Sequence, residues 1–440
     1  MSSQIMPYDE RTALPSYFFP FLSPNSDKAT EDDVEHFYQK LNEKCTSPKQ
    51  ALLYVHIPFC DSFCHFCTFY RIHTPSIDVM ESYVKVLKKE MQAYAQMPYI
   101  QSLKIESVYF GGGSPSVLSP RLIDELLSWT RTCFNLAPNI EFTYEGEVRT
   151  LKDKERLKVI RKNGCTRVSF GVQSFDHRVR KLAGLVPSFE EVLECIKNIR
   201  DVGYAVNIDL MYGLPGQTMS TWKEDLSQAV KLSAANIDIY DTVLYPSTKM
   251  VQHRHKLKEE FPDENTRIEM MKYALQYLDQ NNYTQETIED FALRGKGYQM
   301  KKLLYGGMDG RAEIIGIGVN SIGFLNNIAY RNFSPLQDYM NWFTATRKFP
   351  IRLSYNATFE DIAARAMIYL PRLLKIEKNT VEKEIIDRYR TTLNRLKENG
   401  LIEEDDCVIK LTEEGILWTD NIIAEFLTAR QKQKMWKIMY

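Results

Sequence analysis

Three cysteines lie close together in the segment Tyr54-Val-His-Ile-Pro-Phe-Cys60-Asp-Ser-Phe-Cys64-His-Phe-Cys67-Thr-Phe-Tyr70. Cysteine thiolates are the ligands of iron–sulfur clusters, and a [4Fe–4S] cube normally takes four of them. Three thiolates on one short loop can hold three irons and leave the fourth iron open to another ligand. The spacing therefore predicts that Cys60, Cys64 and Cys67 bind a [4Fe–4S] cluster with one open iron.

A zinc site formed by the same three cysteines and His65 is the alternative. Structural zinc usually takes its ligands from two separated pairs, so a single short loop favours the cluster. The chain has 8 cysteines in 440 residues, which is too few for a disulfide scaffold. Buried, unreactive thiols are expected at the remaining positions, Cys45, Cys133, Cys165, Cys195 and Cys407.

Glycines and polar residues follow several predicted strands. In Gly111-Gly-Gly-Ser-Pro115 the glycines let the backbone approach a ligand and expose N–H donors, although such a run can also form a simple turn. Glu145 and Gln173 come after two further strands, with a solvated loop position as the alternative for the glutamate. Asp209 lies within a strand, where an unpaired carboxylate is costly to bury. A ribose or ammonium partner is therefore expected for it, with an ion pair or a helix cap as the alternative.

Strand-like and helix-like segments alternate from about residue 50 to residue 245. The predicted strands, rich in β-branched and aromatic residues, are Leu52–Ile57, Ile105–Phe110, Ile140–Glu145, Arg167–Val172, Val206–Tyr212 and Ile237–Val243. The predicted helices are Ile77–Gln96, Pro120–Cys133, Lys152–Asn163, Phe189–Val202 and Ser220–Ser233. Six such repeats indicate an α/β fold, either a partial (βα)6 TIM-like barrel of parallel strands or an open doubly wound sheet. In both folds the carboxyl ends of the strands gather the functional residues into one site.

The chain divides into four segments by character. Residues 1–49 are an N-terminal extension, 50–245 the βα core, 246–350 an extension containing the Gly-rich part Gly316–Gly323, and 351–440 a winged-helix-like lid. A winged helix raises DNA binding as a rival function. However, 56 basic against 57 acidic residues give no electrostatic reason to expect nucleic acid or a membrane surface as partner. Met1–Pro20 has no signal-peptide pattern, and Ala51–Phe59 is far shorter than the ~20 residues of a membrane helix, so a cytoplasmic location is expected.

The cysteine loop after a first strand resembles that of the radical S-adenosylmethionine (SAM) superfamily. The extended form Tyr-x-His-Ile-Pro-Phe-Cys is similar to the branch typified by oxygen-independent coproporphyrinogen III oxidase, and the resemblance covers about residues 50–430. It implies that the open iron binds the amino and carboxylate groups of SAM. It also implies that an electron from the cluster cleaves SAM to methionine and a hydrogen-abstracting 5′-deoxyadenosyl radical, chemistry that side chains alone cannot supply.

The resemblance also implies roles for single residues. Gln173 and Asp209 match positions that contact a second SAM molecule in some members of the branch. Leu185 stands where an arginine is expected to anchor the carboxylate of that second SAM, and Arg178 or Arg180 is a possible substitute. The implied contacts to SAM as a whole are Tyr54, Gly112, Gly113, Ser114, Glu145, Gln173, Asp209 and Ile322.

Three activities of the branch compete. The decarboxylases carry another cysteine two residues after the third motif cysteine, where this chain has Phe69. The haem chaperones carry a His-Asn-x-x-Tyr-Trp stretch, whereas the corresponding Gly297–Tyr305 contains no histidine. The ending Cys67-Thr-Phe-Tyr70 looks more like the class C methyltransferases, although Gly318-Val-Asn-Ser-Ile-Gly323 is closer to the decarboxylases.

From these features we expect a radical SAM methyltransferase-like enzyme that uses two SAM molecules. It would transfer SAM-derived carbon, by C-methylation or cyclopropanation, to a planar conjugated ring such as a porphyrin, haem or an aromatic natural product. The alternatives are oxidative decarboxylation of the coproporphyrinogen type and a haem chaperone. A flavodoxin or ferredoxin is the expected electron donor.

Overall fold

A twelve-stranded sheet dominates the computed structural model, which describes residues 8, 10–12, 14, 18–45, 47, 49–252, 260–346 and 348–439. Its strand order is β14-β13-β12-β11-β1-β4-β5-β6-β7-β8-β10-β9, in which the run from β11 to β8 is parallel and both edges are extended by antiparallel strands. The strands are β1 Gln50–Ile57, β2 Phe59–Cys60, β3 Ile72–His73, β4 Lys104–Gly112, β5 Glu141–Gly146, β6 Arg167–Gln173, β7 Ala205–Tyr212, β8 Asn236–Asp241, β9 Tyr283–Gln285, β10 Asp290–Leu293, β11 Glu313–Ile317, β12 Ile322–Leu325, β13 Ile328–Asn332, β14 Ile351–Asn356, β15 Lys375–Glu377, β16 Ile402–Glu404 and β17 Val408–Leu411.

The helices between the central strands begin at residues suited to capping. Ser119 accepts a hydrogen bond from the backbone of Leu122, and Ser188 forms a capping box with Glu191. The α-helices are Glu31–Asn42, Ile77–Ala95, Pro98–Gln101, Pro120–Cys133, Val148–Leu151, Lys154–Lys162, His177–Leu182, Phe189–Asp201, Met219–Lys231, Lys249–Gln252, Glu264–Gln280, Met300–Leu304, Leu336–Thr346, Phe359–Leu373, Lys383–Arg388, Arg390–Glu398, Glu413–Leu417, Thr419–Phe426 and Ala429–Met439.

The parallel strands present two faces of opposite character, because successive side chains alternate across a sheet. On the outer face, apolar residues such as Val55, Phe110 and Ile208 are buried in the main core with the helices. The inner face carries aromatic and polar side chains that occupy the same rows in neighbouring strands. These include Tyr54, Tyr109, Glu145, Ser169, Asn207, Asp209 and Asp238. Within the described residues β9 and β14 are the two edges, so the sheet is an open, partial barrel with a polar inner face.

The α/β fold with a mostly parallel sheet is confirmed, and each of the six predicted strands is present within two residues of its expected bounds. The prediction of six parallel strands is nevertheless incomplete. β11 adds a seventh, which pairs with β1 through Ala51–Glu313 and Leu53–Ile315. It was missed because it belongs to the segment interpreted only as Gly-rich, and no βα repeat leads into it.

A short helix closes the inner face below the site. The Glu141 carboxylate accepts hydrogen bonds from the backbone N–H groups of Gln299 (2.6 Å) and Met300 (2.9 Å), which fixes the start of Met300–Leu304. Lys301 Nζ lies 3.0 Å from Asp238 Oδ2, with both side chains buried. Against the effect of burial, Lys301 and Arg167 hold the pKa of Asp238 below its usual range.

Residues 351–439 form a mainly helical region with a small antiparallel sheet, β15-β17-β16. This arrangement agrees with the predicted helices followed by the strand Val408–Leu411. Arg372 ties the region to the core through buried ion pairs with Glu289 (3.0 Å) and Asp420 (2.8 Å). The expected role as a substrate lid, and the four domain boundaries, stay predictions. None of the described helices has the length and apolar character needed to cross a membrane.

The Lys301–Asp238 pair yields a prediction about stability. Replacing Lys301 by Met should lower the free energy of unfolding by roughly 3–5 kcal/mol, because the buried Asp238 carboxylate loses its cation. The neighbouring Lys302 is the matched control, since its ion pair with Glu286 is partly exposed, and Lys302→Met should cost at most about 1 kcal/mol. Urea unfolding of the two variants measures the difference, and equal effects would contradict the assignment.

Candidate active site

The cysteine loop is held at both ends by a short parallel bridge between β2 and β3. The backbone N–H of Ile72 donates to Pro58 O (2.8 Å), and that of Thr74 donates to Cys60 O (2.9 Å). Cys60 is buried, whereas Cys64 and Cys67 are partly exposed. The three thiols thus lie on one closed loop at the carboxyl end of β1.

Arg71 holds the interior of this loop. Its guanidinium donates to the backbone oxygens of Cys67 (2.6 Å), Phe69 (3.2 Å) and Cys64 (3.2 Å). It also lies 5.1 Å from the centre of the Phe63 ring. One cation therefore fixes the backbone beside two of the predicted cluster ligands, a role that the sequence motif did not reveal.

His56 joins the loop to the strand beneath it. Its Nε2 lies 3.0 Å from Tyr70 O, and its Nδ1 lies 3.0 Å from the Tyr54 hydroxyl. A carbonyl can only accept, so Nε2 carries the proton and Nδ1 accepts from Tyr54. Burial lowers the pKa of His56 to about 4, which keeps the ring neutral and this hydrogen-bond chain intact. These hydrogen bonds position Tyr54, a predicted SAM contact, against Tyr109, with the two ring centres 6.2 Å apart.

His65 serves to dock the loop rather than to complete a zinc site. Its backbone N–H donates to Ala183 O (3.0 Å), and its Nδ1 lies 3.2 Å from Leu182 O. No group of three or more His, Cys, Asp or Glu side chains within the described part of the chain is placed to hold one metal ion. The thiolates of a [4Fe–4S] cube bind separate irons, which is a different arrangement.

The pKa values of the thiols are consistent with binding of positively charged iron. Burial raises the pKa of Cys64 to about 11 and also raises that of Cys67, while Arg71 opposes the shift at both positions. Burial therefore favours the protonated form of these thiols. Binding of iron must displace these protons, as it does at thiolate sites generally.

The glycine run packs directly on the end of β1. Gly113 N donates to Ile57 O (2.8 Å), Ser114 N to Phe59 O (2.7 Å), and Gly112 N to Glu145 Oε2 (3.3 Å). The expectation that these three N–H groups are exposed to a ligand is therefore wrong. A ligand ammonium group needs acceptors instead, which the carbonyl oxygens of the run can provide. A side chain at Gly112, whose φ is +112°, would lie 2.4 Å from the His56 ring.

Glu145 and Asp209 share the inner face near the loop, and burial is the main influence on both. It raises the pKa of Glu145 to about 8, with the nearby Asp209 charge adding to the shift. It raises the pKa of Asp209 to about 7, and the Asp238 charge acts in the same direction. Asp209 accepts a hydrogen bond from Asn207 Nδ2 at 3.3 Å. Two carboxyl groups so placed favour a cationic ligand, which would restore their ionised forms.

Gln173 ends β6 in a left-handed backbone conformation, with φ of +65°. Its side-chain oxygen is buried without a hydrogen-bond partner among the described residues. Buried amide oxygens rarely lack a hydrogen-bond donor. A donor group on a ligand could therefore bind the Gln173 oxygen. The sheet bulges between Gly171 and Gln173.

Ile322 begins β12 on the other side of the site, opposite Arg331 of β13. The preceding turn is held by the buried Glu90, which accepts from Gly318 N (2.9 Å), from Asn332 Nδ2 (2.7 Å) and from the Tyr339 hydroxyl. Burial raises the pKa of Glu90 to about 7. These contacts explain why the Gly-rich segment is ordered next to the cysteine loop.

The two arginines considered as substitutes at the second SAM site already have other partners. Arg180 donates to Val172 O (2.8 Å), Ser174 O (2.8 Å) and Pro187 O (2.6 Å). Arg178 is largely exposed and pairs with Glu260 at 2.6 Å. Leu185 packs in a small apolar cluster beside Phe66 and Met211. The structure therefore gives no support to either substitution.

Comparison with known proteins agrees with this site. Residues 54–229 match the family described as the radical SAM superfamily. Heme chaperone HemW of Lactococcus lactis subsp. lactis (strain IL1403) is 26% identical over 382 residues, covering 85% of this chain and 96% of that protein. Oxygen-independent coproporphyrinogen III oxidase of Helicobacter pylori (strain J99 / ATCC 700824) is 28% identical over 412 residues, covering 88% and 87%. The solved structure of coproporphyrinogen III oxidase (HemN) from Escherichia coli superposes with a TM-score of 0.77 at 22% identity, covering 94% and 96%.

Residues 54–229 thus form a radical SAM domain, and the cofactors of this class are a [4Fe–4S] cluster and SAM. Along most of its length the chain is similar to oxygen-independent coproporphyrinogen III oxidases and to the heme chaperone HemW. The assignment of single residues to cluster and SAM stays a prediction.

The first site prediction concerns the cluster ligands. Replacing Cys60, Cys64 or Cys67 by Ala should abolish iron binding after anaerobic reconstitution, because the remaining thiols cannot close the cube. Wild-type protein should hold about four irons per chain. Cys133→Ala is the matched control and should retain them. Iron and sulfide analysis measures the outcome. Stoichiometric zinc in place of iron would contradict the assignment of these cysteines to a [4Fe–4S] cluster.

The second site prediction concerns Asp209 in the cofactor-free protein. Since its pKa is raised in the folded state, the folded protein holds a proton that the unfolded chain releases between about pH 4 and pH 7. Stability contributed by this group therefore falls as pH rises through that window. Asp209→Asn should stabilise the apoprotein by about 1–3 kcal/mol at pH 8 and by almost nothing near pH 4. Denaturant unfolding at both pH values checks this, and a gain independent of pH would contradict it.

Proposed function

We propose that the chain is a radical SAM enzyme that acts on a porphyrin-type ring and oxidatively decarboxylates its carboxylate side chains. The observation that carries the proposal is the cysteine loop beside a polar inner face. There Glu145 and Asp209 are buried carboxyl groups with raised pKa values, and the Gln173 amide oxygen has no hydrogen-bond partner among the described residues. Similarity along most of the chain to proteins named oxygen-independent coproporphyrinogen III oxidase supports decarboxylation over the carbon transfer expected from the sequence.

The residues divide into two groups around this face. Cys60, Cys64 and Cys67 would hold the cluster, and Glu145 with the glycine run would contact the SAM on its open iron. Gln173, at the end of β6, and Asp209, within the neighbouring β7, would contact a second SAM. When bound, the cluster and SAM supply the reducing electron and the hydrogen-abstracting carbon radical.

The protein side chains would bind, orient and exclude water. A carboxylate at Glu145 or Asp209 pairs with the sulfonium or ammonium of SAM only when it is ionised. Removal of one hydrogen atom and of CO₂ from a propionate leaves a vinyl group and one electron, which an external acceptor must take. A flavodoxin- or ferredoxin-type donor and a cytoplasmic location remain predictions.

Carbon transfer is the second candidate, and one observation favours it. Phe69 occupies the position of the additional cysteine of the decarboxylases, and its ring is 61% exposed beside the cysteine loop. A haem-chaperone role finds less support, because Tyr298 and Lys301 of the segment without histidine are engaged with Arg167 and Asp238.

An anaerobic assay with coproporphyrinogen III and methyl-labelled SAM separates the candidates. The proposal expects a product without label that is lighter by CO₂ and two hydrogens for each propionate converted, together with 5′-deoxyadenosine. Label in the product would favour carbon transfer, while haem bound without SAM cleavage would favour a chaperone. Cys60→Ala serves as the inactive control.

A further prediction concerns the second SAM. Asp209→Asn should suppress substrate conversion by ~10²-fold, since displacing a reacting group by ~1 Å can cost that much. It should leave 5′-deoxyadenosine release without substrate largely intact, because the first SAM stays on the open iron. Both products can be quantified by liquid chromatography. One SAM bound per fully active protein, measured by equilibrium dialysis, would overturn the two-SAM arrangement.

A further inference from the structure

Arg331 of β13 faces the inner side of the sheet. Its neighbour Tyr330 points to the outer side, where the hydroxyl bonds the backbone of Gly316 and the ring packs against Phe37. Because side chains alternate along a strand, Arg331 lies on the opposite face. Its cross-strand partners there are Ile322 of β12 and Leu353 of β14.

The Arg331 guanidinium makes no hydrogen bond or ion pair with any described residue, and its Nε is buried. Buried arginines elsewhere in the protein are engaged. Arg372 pairs with Glu289 and Asp420, and Arg180 donates to three backbone oxygens. Arg365 lies 3.9 Å from the Phe324 ring centre. Arg331, which is only partly buried, has no such partner among the described residues.

The charge around Arg331 is positive rather than balanced. Burial lowers its pKa, and the charge of Arg352 on the next strand lowers it further. Arg352 itself donates to Ser334 O at 2.7 Å, and no ion pair to it is formed by the described residues. A desolvated cation beside a second cation favours an anionic ligand.

The strand pairings give the distance between Arg331 and Tyr54, a predicted SAM contact on the same inner face. Tyr54 of β1 pairs with Gly316 of β11, and Ile322 of β12 pairs with Arg331. Neighbouring strands are about 4.8 Å apart, so Arg331 and Tyr54 are separated by about 14 Å across three strand spacings. A broad planar ligand lying on this face would span that distance, with its ring near Tyr54 and a peripheral group at Arg331.

We propose that Arg331 is a substrate-binding residue that receives a peripheral carboxylate of the ring substrate. The inference rests on the proposed function, because it takes the tetrapyrrole class from it. A planar guanidinium suits a carboxylate, to which it can donate two parallel hydrogen bonds. The carboxylate of SAM is the other source of the same chemistry, and the test separates the two.

The test uses the full chain with its cluster reconstituted, and compares Arg331→Gln with Arg352→Gln as the matched control. Binding of coproporphyrin III, of its tetramethyl ester and of SAM is measured anaerobically, by fluorescence quenching for the porphyrins and by equilibrium dialysis for SAM. Arg331→Gln should weaken binding of the free acid by about 10- to 100-fold, as loss of a charge-assisted pair does. It should leave the ester and SAM unaffected, and Arg331→Lys should recover part of the loss.

A second readout excludes a purely structural role. Because the partly buried Arg331 has no hydrogen-bond or ion-pair partner among the described residues, Arg331→Gln should raise or leave unchanged the melting temperature of the apoprotein. A lowered melting temperature together with uniformly weakened binding would overturn the proposal in favour of a structural role. Unchanged binding of the free acid would overturn it directly, and a loss confined to SAM would reassign Arg331 to the SAM carboxylate. Failure of the wild type to bind either porphyrin would instead refute the proposed substrate class, and the proposal with it.

Discussion

The structure depends on how charge is distributed over the inner face of the partial barrel. Carboxyl groups at Glu145, Asp209 and Asp238 share a space from which the helix Met300–Leu304 and the surrounding strands exclude solvent. The cations Lys301 and Arg167 stabilise the Asp238 carboxylate, but they only partly offset the rise in the pKa of Asp209. Glu145 and Asp209 are left to take up protons, with pKa values of about 8 and about 7. The region around Glu145 and Asp209 therefore suits a cation from outside the chain. The sulfonium group of SAM is such a cation.

The cysteine loop meets a different constraint, because a loop that closes around a cluster must keep its shape with few side chains inside it. Backbone groups do most of this work. Arg71 gathers three carbonyl oxygens, His56 holds Tyr70 O, and the glycine run donates to Ile57 and Phe59. Because these N–H groups already donate to backbone oxygens of the protein, they are not available to a ligand. The contribution of the glycines is to let the run pack closely on β1. The same contacts join the cluster side of the site to the SAM side.

Much of this arrangement could be predicted from the sequence, and the reasons for success and failure are physical. The six strands and their helices follow from local hydrophobic periodicity and capping residues, which Ser119 and Ser188 illustrate. The shared placement of the cysteine loop, Glu145 and Gln173 follows from the rule that parallel strands gather their carboxyl ends. β11 was missed because its pairing with β1 joins residues far apart in sequence. Arg71 and Lys301 were missed because the partners of a cation are set by tertiary packing, which no local pattern records. The possible role of Arg180 at a second SAM gains no support for the same reason, since its bonds to backbone oxygens are set by the folded chain.

The position of β11 has a consequence for how the chain acquires its structure. β1, the strand that carries the cysteine loop, lies between β4 and β11, and its pairing through Ala51–Glu313 is among the most non-local in the sheet. Contacts of such high sequence separation slow folding, because the loop between them must be ordered before they form. During synthesis, β1 would leave the ribosome early. Its edge that pairs with β11 would stay unpaired until residue 317 had also left the ribosome. The cluster loop therefore belongs to a strand that is completed late, and any iron inserted before β11 pairs would enter a sheet in which β1 still lacks one neighbour.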